Sequence, residues 1–106
     1  MNTAFNVTIT QNDKELAAAV AGRLDANTSK EFDNALKEKL TDVSKLIIDF
    51  SELDYISSAG LRVLVGLYQN LNARTPKGEL ILRHLDESVK KILDMTGLLD
   101  MLTIEE

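Results

Sequence analysis

A small α/β domain is the fold class this sequence predicts, and three stretches predict it. Val7 and Ile9 alternate with Thr8 and Thr10, the period-two pattern of a half-buried strand. Leu46-Ile47-Ile48-Asp49-Phe50 is short, β-branched and apolar on consecutive residues, as a central strand is, and the amphipathic segment before it suits a parallel crossover. Between Asp54 and Leu64 a serine-bearing turn then leads from this apolar strand into an apolar helix. The expected order is β-hairpin, helix, strand, helix, strand, helix.

Each element has its own signals. Asn12-Asp13 supplies the hairpin turn, and Glu15-Leu16-Ala17-Ala18-Ala19-Val20-Ala21 reads as the returning strand. Its alanines favour helix, but its short length, the preceding turn and the stop at Gly22 favour strand. Thr28 and Glu31 have the spacing of a capping box, and Phe32, Leu36 and Leu40 follow at every fourth residue with Ala35 and Val43 near the same face. The run from Gly60 to Leu71 is the second helix, ended by Asn72, Thr75-Pro76 and Gly78. Glu79-Leu80-Ile81-Leu82-Arg83 is a further strand. Asp86 caps a third helix with Val89, Ile92 and Leu93 inside, Gly97 ends it, and the apolar tail from Leu98 to Ile104 packs as a last short element.

Composition narrows the function. With 106 residues and 44% hydrophobic content the chain builds one modest core, so a single domain over 1–106 is expected. Twelve basic against seventeen acidic residues give a net charge of −5, which disfavours nucleic acid and anionic lipid as partners. Cysteine is absent and His84 is the single histidine, so thiol catalysis, thiolate metal sites and multi-histidine metal sites are excluded. No P-loop is present, and no cofactor is expected. Met1 to Asn6 lack the basic region and apolar run of a signal peptide and no stretch approaches the roughly 20 apolar residues of a membrane span, so a soluble, cytoplasmic protein without membrane insertion is expected.

The second helix carries more apolar surface than one packing partner needs. Gly60, Val63, Leu64, Leu67 and Leu71 share one side, and Leu61, Val65 and Tyr68 lie beside them, an arc of roughly 200° against the roughly 100° a sheet requires. Either the core absorbs all of it, or part of it docks another protein next to Ser58.

Three roles are open to Ser57 and Ser58 at the start of that helix. Either hydroxyl can cap the helix. Ser58 can take a phosphate, which the unpaired amides and the positive end of the helix dipole tolerate. As a nucleophile, Ser58 has Gly60 two residues on but Ile56 where the hydrolase elbow has its first glycine, and His84 is the sole candidate base. Glu31, Glu38, Glu52 and Glu87 fall on faces expected to be solvated.

Four segments, in order, resemble the STAS domain family, specifically stand-alone bacterial anti-sigma factor antagonists. They are Gly22-Arg23-Leu24-Asp25, Leu46-Ile47-Ile48-Asp49-Phe50, Tyr55-Ile56-Ser57-Ser58-Ala59-Gly60-Leu61 and Ile92-Leu93-Asp94-Met95-Thr96-Gly97-Leu98. The resemblance implies a STAS-like fold, a mixed sheet of four to five strands with helices packed mainly on one face. It implies a non-enzymatic binding module that sequesters an anti-sigma factor, itself a serine kinase, while Ser58 is unphosphorylated, and so frees a sigma factor. The kinase brings its own ATP and magnesium, and a PP2C-type phosphatase resets the switch. Ser58 falls on the family's phosphoacceptor, with Ser57 as the alternative. The partner-binding surface it implies comprises Asp25, Ser57, Ser58, Ala59, Gly60, Leu61, Arg62 and Val65. Many relatives carry Asp where this chain has Ser57, and another hydroxyl where it has Ala59. Two other functions compete: a STAS scaffold in a signalling or membrane-associated assembly without a phosphoswitch, and a small esterase using Ser58.

Overall fold

The computed structural model describes residues 4–105, and five strands in it form one sheet in the order β1-β2-β3-β4-β5. β1 (Asn6–Asn12) and β2 (Glu15–Leu24) are the antiparallel hairpin, turning at Asp13 with φ +58°. β3 (Lys45–Ile56), β4 (Glu79–Arg83) and β5 (Thr103–Glu105) then join in parallel, connected by α1 (Ala26–Lys37), α2 (Ser58–Asn72) and α3 (Glu87–Met95). Neighbouring parallel strands joined by right-handed crossovers put every helix on the same face. The core agrees with this: Leu16, Ala18, Val20, Leu46, Ile48, Phe50, Leu80 and Leu82 of the sheet pack in one cluster with Phe32, Leu36, Leu64, Leu67, Leu71, Val89 and Leu93 of the three helices. Thr8, Thr10, Ala17, Ala19, Ile47, Asp49 and Arg83 gather on the opposite, helix-free face.

Several boundaries differ from the sequence expectation, four of them for a local reason. Gly22 does not stop β2. It sits buried inside the strand at φ +92°, where the pairing with β3 slips by a residue between Gly22 and Arg23, a bulge that a side chain would resist. The helix α1 begins one turn before Thr28. Asp25 is its N-cap and accepts from the Asn27 and Thr28 amides at 2.9 Å each, while Thr28 Oγ1 accepts from the Asp25 amide at 2.9 Å, so the reciprocal box joins Asp25 and Thr28 rather than Thr28 and Glu31. At its other end α1 stops at Lys37, and Leu40 and Val43 are buried from the following loop; the four-residue spacing outlasts the helix because the loop returns over the same core. The apolar tail forms a 3-10 turn at Leu98–Asp100 and then a fifth strand, β5. β3 continues past Phe50 to Ile56 and α2 starts at Ser58 rather than Gly60, whereas Asp86 caps α3 through the Val89 amide and Gly97, at φ +80°, follows its end, both as expected.

Candidate functional site

Strand β3 runs six residues past Phe50, and its last residues set the site. Ile56 pairs with Leu24, and the Ser57 amide donates to the Leu24 carbonyl at 2.8 Å. The cap residues of two helices, Asp25 for α1 and Ser57 for α2, therefore emerge side by side at one rim of the sheet. Both helices point their amino ends, and the positive ends of their dipoles, at that rim.

The two serines separate there. Ser57 is the N-cap: its backbone is extended, its hydroxyl accepts from the Gly60 amide at 3.4 Å, and its carbonyl accepts from the Leu61 amide at 3.0 Å. Ser58 is the first helical residue, exposed, and its hydroxyl has no hydrogen-bond partner among the described residues. A helix needs one capping oxygen, so the second hydroxyl is left to solvent.

Gly60 faces inward and offers nothing to a partner. A Cβ placed there would lie 2.7 Å from Ile56 Cγ1 and 3.1 Å from Leu24 Cβ, so the glycine lets α2 sit directly on the end of the sheet. Leu61 and Val65 are half-buried against the core, as are Val63 and Tyr68. The wide apolar arc is thus largely absorbed by packing, with its edges open beside Ser58. Arg62 is exposed and Ala59 half-exposed.

Asp25 spends its carboxylate on α1. The Thr28 amide foremost, then the Thr28 hydroxyl, hold its pKa below the ordinary 3.8, against the opposing effect of burial. Close by, Arg23 stacks on the Tyr55 ring, 4.4 Å from its centroid, and Tyr55 is 38% exposed.

A shallow groove of about 370 Å³ between α1 and α2 opens next to these residues, lined by Ala26, Ser29, Lys30, Asp33, Ala59, Arg62 and Val63. The α1 half of it was absent from the sequence expectation. Its signal is faint: Ala26 and Ser29 on α1, with Ala59 and Val63 on α2, are small side chains at three- and four-residue spacings, which let two helices approach while leaving a furrow.

His84 belongs elsewhere. It follows β4 at φ +56°, and its Nδ1 lies 3.2 Å from Asp49 Oδ1. Asp49 stands seven residues before the end of β3, on the order of 20 Å along the strand from the serines. The imidazole and the Ser58 hydroxyl are not brought together. Glu31, Glu38, Glu52 and Glu87 are exposed, as the sequence suggests. Among the described residues no helix is long and apolar enough to cross a membrane.

Comparison with known proteins gives this arrangement a family. The STAS domain model matches residues 6–106. An anti-sigma-B factor antagonist of Listeria monocytogenes is 34% identical over 87 residues, covering 81% of this chain and 75% of its own. One from Bacillus subtilis is 30% identical over 104 residues, covering 94% and 90%. Among solved structures, the anti-sigma factor antagonist SpoIIAA in its unphosphorylated form superposes with a TM-score of 0.80 over 97% of this chain and 89% of its own, at 19% identity, which speaks for the fold. With the model spanning nearly every residue and the strand order, cap and helix stacking in place, this chain belongs to the STAS domain family.

Proposed function

We propose that this protein is a cytoplasmic anti-sigma factor antagonist that works by phosphorylation-controlled binding. Unphosphorylated, it holds an anti-sigma factor of the serine-kinase type and frees the sigma factor. The kinase transfers the γ-phosphoryl of ATP to Ser58 Oγ, with loss of the hydroxyl proton and departure of ADP, and a PP2C-type phosphatase hydrolyses the phosphoserine to reset the switch. The observation that carries this reading is the division of labour between the serines: Ser57 is used as a cap, and Ser58 stands exposed and unengaged one residue later. The names of the Listeria and Bacillus relatives support it.

Phosphate on Ser58 adds about −1.5 to −2 charges at a helix amino end, which tolerates negative charge, so the domain keeps its fold while its surface changes. Asp25, Ser57, Ala59, Leu61, Arg62 and Val65 surround that position and form the proposed binding surface, with Gly60 holding it from beneath.

The experiment is transfer of labelled phosphate from ATP by the ATPase recovered with this protein from its native cell. Ser58→Ala is expected to abolish incorporation, and Ser57→Ala to retain it. Undiminished incorporation into Ser58→Ala would remove Ser58 from the mechanism. A serine-reactive phosphonate is expected to leave the protein unlabelled; stoichiometric labelling lost in Ser58→Ala would establish an esterase instead.

A further inference from the structure

Charge around the α1–α2 groove is unevenly satisfied. Asp33 is paired with Lys37 one turn along α1, at 3.3 Å. Lys30 and Arg62, the cations of the groove, have no carboxylate within salt-bridge distance among the described residues, although the chain carries five more negative than positive charges. The groove wall also holds Ser29, which is 1% exposed and whose hydroxyl is the one buried side-chain polar atom without a hydrogen-bond partner among the described residues. With Asp33 taken by Lys37, this corner leaves two cations without a counter-charge and one buried hydroxyl without a partner.

Position on α2 says what can supply them. Arg62 lies four residues after Ser58, so the two side chains share a helix face with about 5–6 Å between their Cβ atoms. The guanidinium fork matches two oxygens of a phosphate, and it needs no rearrangement of the backbone to reach one a turn away. We propose that Arg62 captures the phosphate on Ser58 within the same chain, with Lys30 facing it across the groove. Phosphorylation then does more than add charge: it withdraws Arg62 from the binding surface and covers the open end of the groove. An acidic group of a partner that met Arg62 before phosphorylation would meet a phosphate in its place.

This inference rests on the reading of Ser58 as the phosphoacceptor, yet its test needs neither kinase nor partner. The full chain is made with phosphoserine placed at position 58 during translation and titrated by phosphorus NMR. The other charged neighbours are Asp25 and Arg23 beside the rim, Asp54 before it, and Lys30 and Asp33 on α1, all retained when Arg62 is replaced. A guanidinium on the phosphate favours the dianion, so the second ionisation is expected about half a pH unit lower in the native chain than in Arg62→Gln, a roughly threefold change in proton affinity. Arg62→Lys should restore part of the difference, and the Arg62 Nε–H resonance should move on phosphorylation. Equal titration of the native and Arg62→Gln chains, both shown folded by their amide spectra, overturns the proposal. So does a shift that Lys30→Gln removes and Arg62→Gln does not. A native cell that leaves Ser58 unmodified would defeat the functional reading and leave this result standing, whereas labelled Ser58 with no clamp would defeat the clamp alone.

Discussion

Gly60 and the two serines before it show how single atoms set this surface. The missing Cβ at Gly60 lets α2 rest against Ile56 and Leu24, and a methyl group there would meet Ile56 Cγ1 at 2.7 Å. Gly60→Ala is expected to destabilise the domain by about 1–3 kcal/mol through overpacking, measured by urea unfolding; an unchanged midpoint would mean that the end of the sheet is softer than its packing implies. The serines should separate in the same experiment. Ser57→Ala loses the cap, at about 1 kcal/mol, whereas Ser58→Ala should stay within about 0.5 kcal/mol of the native chain. Equal losses at both positions would contradict the assignment of Ser57 as the cap. Neither residue announces its role in the sequence, because adjacent serines are chemically alike and the choice depends on which one the Leu24 carbonyl fixes at the end of β3.

At the scale of elements, two helices are capped by carboxylates that titrate with folding. The Thr28 amide holds the Asp25 carboxyl below 3.8, and the Val89 amide, then the Ser88 hydroxyl, do the same for Asp86. Depressed folded-state values mean that the unfolded chain takes up these protons first. The stabilisation they give is complete above the ordinary carboxylate value and drains away as pH falls from 3.8 through the lowered values. The melting temperature should fall with acid across that window, and Asp25→Asn, which keeps a capping oxygen without the charge, should flatten the fall. An identical acid profile in Asp25→Asn would show that other carboxylates govern it. The box at Asp25 also explains why Thr28 and Glu31 mislead in the sequence: Thr28 does belong to a capping box, but as its third helical residue rather than its cap.

Over the whole molecule, stability should follow the sheet. β2, β3 and β4 are paired on both edges, β2 and β3 over the longest runs, whereas β1 and β5 each have one free edge and β5 is three residues long. Amide hydrogen exchange is therefore expected to be slowest in the centre of β2 and β3 and fastest in β5, approaching the global unfolding free energy only in the former. Comparable protection of β5 would show that the carboxyl-terminal strand unfolds with the core rather than ahead of it. The sequence by itself determined the class and order of elements, because alternation at Val7 to Thr10, the apolar run at Leu46 to Phe50 and the wheel of α2 are local periodicities that one face of a core imposes on neighbouring residues. It also singled out Ser57 and Ser58, since the passage from strand to helix is written in adjacent residues. Tertiary structure alone decided the bulge at Gly22, the burial of Leu40 and Val43 from a loop, the pairing of β5 and the groove that joins Lys30 to Arg62. Those features depend on residues far apart in the chain meeting across the sheet or between helices, and a local pattern holds no record of such a meeting.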